Sequence, residues 1–212
     1  SESWLGDALE ASIADWADET HRQGGIVVHP HFCRMFNEYI PDSLLGKLDA
    51  TEIGPWTLTG RAFLHQAYGN WYRILNCGVR MPIVGGTDKM TDAAVVGGCR
   101  TYAHIPGGDT LTYDRWCNAI RQGNTFMTTG PMLFLEVEGL PPGATIPLPG
   151  NGGLVEFRVS SIGYFPLKSI ELIHNGRVIA VVTPEGRGET AEGVECGMAC
   201  SAPGQSNMKG PW

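Results

Sequence analysis

The 212-residue chain has no apolar run near the roughly 20 residues needed to cross a bilayer, so no membrane-spanning helix is expected. Basic residues are few: 15 Lys and Arg stand against 22 Asp and Glu, a formal net charge of −7. With a pI near 5.3, bulk charge gives no reason to expect a nucleic-acid partner. No C-x-x-C pair occurs among the six cysteines, which weakens a zinc-ribbon reading and favours buried small hydrophobes. The G-x-S-x-G elbow, the G-x-x-x-x-G-K-[ST] phosphate loop and a G-x-G-x-x-G turn after a strand are all missing. Serine-triad hydrolases, nucleoside triphosphatases and dinucleotide enzymes lose weight accordingly.

Glycine (29) and proline (14) are abundant and scattered between apolar stretches, the pattern of many short elements joined by tight turns. Leu5, Leu9, Ile13 and Trp16 fall on one helical face, and Gly24-Gly25 ends that helix. Ile26-Val27-Val28 then reads as a short buried strand running into His29-Pro30-His31. Leu48–Glu52 is a second expected strand. A helix with Leu64, Ala67, Tyr68, Trp71, Ile74 and Leu75 on one face follows, stopped at Gly78. Pro82 opens a third strand, Ile83-Val84, which leads into Gly85-Gly86-Thr87-Asp88.

Alternating helix and strand is the grammar of an α/β layer or barrel, in which chemistry gathers at the carboxyl ends of parallel strands. His29, Glu52 and Asp88 stand at those expected ends. A further helix is expected from Thr112, with Trp116 and Ile120 inward and Gly123 as its stop. The period then changes from 3.6 to 2, through Leu133-x-Leu135-x-Val137 and Val155-x-Phe157-x-Val159. Asn175-Gly176 predicts a type I′ hairpin turn. The expected organisation is therefore an α/β barrel portion over 1–130, a small antiparallel β-sandwich lobe over 131–185, and an irregular tail over 186–212.

Several residues have the chemistry of a metal site. His29 and His31 would share a side of extended backbone and could converge on one divalent ion. Asp88 would be a hard oxygen donor, with Gly85 and Gly86 allowing close approach to a ligand; a helix N-cap or Asx turn explains it equally well. Glu52 fits a further donor or a general base, or a salt bridge to Lys47 or Arg61. His104 with Asp109 could close over a site from a loop, and Lys89 could meet an anionic substrate. His21, His65 and His174 read as structural or exposed.

Two long runs carry a resemblance. Trp71-Tyr72-Arg73-Ile74-Leu75-Asn76-Cys77-Gly78-Val79-Arg80, continuing as Pro82-Ile83-Val84-Gly85-Gly86-Thr87-Asp88-Lys89-Met90, resembles the CehA/McbA-type metallohydrolases of the PHP superfamily. So does Trp116-Cys117-Asn118-Ala119-Ile120-Arg121-Gln122-Gly123-Asn124-Thr125-Phe126-Met127-Thr128-Thr129-Gly130-Pro131, and His29-Pro30 is similar to the family's late His-Pro motif. The resemblance implies a distorted β/α barrel holding divalent ions (Zn, Mn or Fe) that activate water against ester, carbamate or phosphoester bonds. It makes His29 and Asp88 metal ligands, with His31 and Glu52 as additions. Asp88-Lys89-Met90 departs from the Asp-x-His common in the superfamily, and the early H-x-[DH]-x-H motif is not in this sequence. The chain is therefore expected to be the later part of a longer hydrolase with an incomplete site. The alternative is a non-catalytic carbohydrate- or protein-binding module with a decayed metal site, its aromatic supply including Tyr164 and Phe165.

Overall fold

The computed structural model describes residues 11–31, 38–53, 61–107, 110–148, 153–183 and 194–202, with backbone alone at 61–65 and 194–202. Leu5 and Leu9, the side chains of Leu64 and His65, Gly54-Pro55, and Asp109 lie outside these residues.

Helix α1 spans Ile13–Arg22, and Ser12 starts it with a reciprocal cap. The Ser12 hydroxyl accepts from the Asp15 N–H at 3.2 Å, and the Asp15 carboxylate accepts from the Ser12 N–H at 2.8 Å. Its buried residue is Ala17, whereas Ile13 and Trp16, expected to face inward, are about half exposed. Strand β1 (Val28–His29) pairs in parallel with β2 (Ala50–Glu52), and β2 with β3 (Ile83–Val84). Between them come α2 (Tyr39–Leu44), which hydrophobic periodicity did not announce, and α3 (Arg61–Asn76).

Alternation along these three strands assigns each residue to a face. His29 is in register with Thr51, and Thr51 with Ile83. This side meets the core of Tyr39, Leu48, Ile53, Ala67, Ile74 and Met81 supplied largely by α2 and α3. Val28 is in register with Ala50, and Glu52 with Val84. This other side packs on Ile120 of α4 (Tyr113–Arg121). The sheet is thus sandwiched between helices, as expected where parallel strands are buried on both faces.

α4 starts where expected, with the Thr112 hydroxyl accepting from the Arg115 N–H. Cys117 and Ile120 are buried, but Trp116 is 38% exposed. Strand β4 (Arg100–Ala103) pairs antiparallel with β5 (Thr125–Thr128) as a two-stranded ribbon that the sequence pattern did not indicate. Beyond the turn at 129–131, β6 (Met132–Val137) pairs antiparallel with β7 (Gly153–Ile162). Strands β8 (Ile170–His174) and β9 (Arg177–Val182) form the expected hairpin. Asn175 and Gly176 both have positive φ, 51° and 76°, as a type I′ turn demands.

The tail expected to be irregular contains a strand. Val194–Ala202 forms β10, antiparallel to β7 along nine register pairs from Ser161 to Gly153. Strand β7 already alternates buried and exposed residues, so its open edge supplies backbone partners that composition alone does not reveal. Among the described residues the sheets are β1-β2-β3, β10-β7-β6, β4-β5 and β8-β9, and no closed barrel forms.

Gly85 shows how tightly β3 joins the ribbon. A Cβ there would lie 2.8 Å from Cys99 Sγ and 3.0 Å from Met127 Cβ, so its small size serves internal packing. At Gly86 an added Cβ meets nothing within 4 Å. Gly85→Ala is expected to cost about 1–3 kcal/mol through overpacking, and Gly86→Ala less than about 0.5 kcal/mol. Equal urea midpoints for the two variants would refute this packing account.

Candidate metal centre

The parallel register brings the carboxyl ends of β1, β2 and β3 side by side, and each expected site residue emerges there. Strand β1 stops at His29, and His31 takes a left-handed conformation, φ 58°. The His31 N–H donates to Glu52 Oε2 at 2.8 Å, and its ring Nδ1 lies 3.4 Å from the same oxygen. On the other side, His31 Nε2 lies 3.8 Å from Asp88 Oδ2. Asp88 is also left-handed, φ 45°, in the loop after β3, and no α-helix begins there, so it is not a helix N-cap.

His31 therefore links the two carboxylates, and the three side chains form the cluster that the structure assembles. Glu52 is the most enclosed, its side chain only 12% exposed. Its second oxygen, Oε1, is buried and has no hydrogen-bond partner among the described residues. Burial, and secondarily the Glu52 charge, raise the Cys99 thiol pKa, consistent with a carboxylate held close to that sulfur.

His29 occupies a different position. Its ring packs on Tyr39 with centroids 4.2 Å apart, on the face opposite Glu52. Burial, and then the neighbouring His31, push its pKa down, favouring the neutral imidazole that ligates metals. His31 is thus the imidazole seen within ion-pair distance of Glu52 and Asp88. Strand β1 ends before His31, and His29 lies on the sheet face that meets Tyr39.

Other expectations are resolved by local contacts. Glu52 pairs with His31 and not with Lys47, which binds Asp18 at 2.5 Å; the Arg61 side chain lies outside the described residues. Lys89 Nζ donates to the carbonyls of Thr91 and Ala94, at 2.9 and 2.6 Å, so it is tied to its own loop. Met90 is 84% exposed. His104 donates its backbone N–H to Asn124 O, and His21 is a structural partner of Asp49 at 2.8 Å.

Imidazole with two carboxylates is the right donor chemistry for a borderline divalent ion, and the unpartnered buried oxygen of Glu52 is what such a site leaves available. The spacing is incomplete, since among the described residues no three His, Cys, Asp or Glu side chains are grouped closely enough to hold an ion. The residues fit part of a coordination shell. Alongside, on the Glu52 side of the sheet, lies a cleft of about 410 Å³ with Val28, Val84, Cys99, Trp116 and Ile120 in its walls. Its residues come from β1, β3, β4 and α4 and from the loop between β3 and β4, a convergence that no single sequence motif announces.

No family model, curated protein or solved structure matches this chain. Among the described residues, no helix is long and apolar enough to cross a membrane.

Proposed function

We propose that this chain is the later part of a metal-dependent hydrolase resembling the CehA/McbA type of the PHP superfamily. The reading takes its three parallel strands as part of a distorted β/α barrel and the following antiparallel strands as a β-sandwich lobe. The observation that carries it is the convergence of His31, Glu52 and Asp88 at the carboxyl ends of β1–β3, where such folds place their chemistry.

In this reading His31, Glu52 and Asp88 hold a Zn, Mn or Fe ion, with His29 reaching the same centre from the end of β1. The ion, when bound, supplies Lewis acidity and an activated water for attack on an ester, carbamate or phosphoester. Glu52, the more enclosed of the two carboxylates, is the one placed to act as general base. Asp88, one-third exposed, is an oxygen donor facing solvent. The adjacent cleft receives the uncharged part of a small substrate. The resemblance places additional ligands in the early H-x-[DH]-x-H motif that this sequence does not contain. The isolated chain should therefore bind metal weakly.

Calorimetric titration of metal-free protein with Zn²⁺ and Mn²⁺ tests the assignment. His31→Ala and Asp88→Ala should each weaken binding at least about tenfold, because each removes a ligand from an already short set. Unchanged isotherms in both variants would reject the site. The alternative, a carbohydrate- or protein-binding module with a decayed centre, is supported by Tyr164 and Phe165, which are 98% and 85% exposed.

A further inference from the structure

Helix α2 buries a carboxyl group. Asp42 and Ser43 stand three and four residues after Tyr39, on the same helical face, and all three are buried. Tyr39 belongs to the core, and Asp42 beside it is only 4% exposed. The Ser43 hydroxyl is satisfied by donating to Tyr39 O at 2.7 Å. The Asp42 backbone is satisfied too: its N–H donates to Glu38 O and its carbonyl accepts from the Lys47 N–H, both at 2.9 Å. Its side chain is not. Oδ2 is buried, and no hydrogen bond reaches it among the described residues.

The surrounding charges do not compensate this group. Glu38, one turn earlier, is held in place because its Oε2 accepts from the Ile13 N–H at the start of α1, at 3.1 Å. A like charge is thereby fixed close to Asp42. Lys47, in the turn after α2, is drawn off: its Nζ donates to Asp18 of α1 at 2.5 Å. Asp15, the other α1 acid within reach of this ammonium, is taken up by the Ser12 N–H and hydroxyl at 2.8 Å each. Tyr39 brings a neutral phenol. Among the described residues no other charged group bears on Asp42. Burial, and then the Glu38 charge, raise the Asp42 pKa, with Lys47 opposing them.

We propose that Asp42 is a proton-operated latch for α2: protonated, it lets the helix pack tightly, and ionised, it loosens the helix from the core. A carboxylate shut away from water without a partner is costly, and a neutral carboxylic acid in the same place is far less so. The folded chain holds this proton more firmly than the unfolded chain does. The stability it confers is therefore fully present below the ordinary aspartate pKa, and is lost as pH rises through the higher folded-state value. A salt-bridged aspartate behaves in the opposite sense. Tyr39 travels with the helix, and its ring is the one on which His29 packs at 4.2 Å. The latch thus acts on one wall of the candidate metal centre, and it operates whether or not that centre binds an ion.

Carboxyl ¹³C NMR of the whole chain, with the Asp42 resonance assigned through its own backbone, reads the group directly. Asp42 should titrate above ordinary aspartates, and Glu38→Gln should bring its midpoint down. Hydrogen exchange, corrected for intrinsic rates, should find the 39–45 amides at least about threefold less protected at neutral pH than near the ordinary aspartate pKa of about 4, while those of α4 change less. Asp42→Asn, neutral at every pH, should keep the acid level of protection in α2 at neutral pH and unfold there at higher urea than the parent. An Asp42 midpoint at or below the ordinary range, or parental α2 protection that does not vary with pH, would overturn the proposal. So would an Asp42→Asn variant that retains the parent's pH dependence in α2.

Discussion

Tyr39→Ala is expected to destabilise the protein by about 3–5 kcal/mol, the range for removing a large aromatic side chain from a packed core. Tyr39 is 1% exposed and is among the largest fully buried side chains of the molecule. It belongs to the cluster with Ile53, Ala67, Ile74 and Met81 that fills the space between the sheet and helices α2 and α3. Burial raises the pKa of its phenol, so the group stays neutral at physiological pH. Truncation opens a cavity and also removes the ring against which His29 packs. Tyr39→Phe keeps the ring and should cost less than about 1.5 kcal/mol. Urea unfolding of both variants checks the pair; equal losses would mean that the hydroxyl, and not ring packing, carries the effect. Under the proposed function, the alanine variant should also weaken metal binding, while the phenylalanine variant should not.

The second large effect is expected at Asp49, where three elements meet. Its Oδ2 accepts from the Val27 N–H at 2.7 Å and lies 2.8 Å from His21 Nε2, and its Oδ1 accepts from Arg121 Nε at 3.2 Å. The carboxylate thereby ties the end of α1, the approach to β1 and the end of α4. Arg121 adds a further bond to Gly25 O at 2.5 Å. Asp49→Ala leaves a backbone donor and a guanidinium without their acceptor. A fully buried pair broken in this way costs about 3–5 kcal/mol. Arg121 is one-third exposed, and solvent screening reduces the expected loss to about 2–3 kcal/mol. Asp49→Asn retains an acceptor for Val27 and should lose less. If Asp49→Ala unfolds at the same urea concentration as the parent, this junction does not stabilise the fold.

Much of the architecture could be read along the chain because it depends on local physics. Ile83-Val84 is a short β-branched run, and it forms β3; the apolar face containing Ala67 and Ile74 forms α3; Asn175-Gly176 makes the turn its backbone freedom permits. The ribbon of β4 and β5 escaped notice because its partners are about 25 residues apart in sequence and neither strand alternates cleanly. Strand β10 escaped for a related reason: the Gly-, Ser- and Ala-rich stretch around it has weak strand propensity, and its pairing depends on an available edge of β7.

At the candidate site, residue types and their places at strand ends were legible, since they follow from strand order alone. Their partners were not. The positive φ at His31 helps set where its ring lies, and residue type alone does not announce it. His29 meets Tyr39, and His31 meets Glu52 and Asp88. Sequence by itself determined the short elements, the turns and the presence of donor side chains, because those depend on near neighbours. Tertiary structure alone decided which donors meet, why Gly85 must be small, and which aromatic rings remain in water, because each depends on a neighbour brought in from far along the chain.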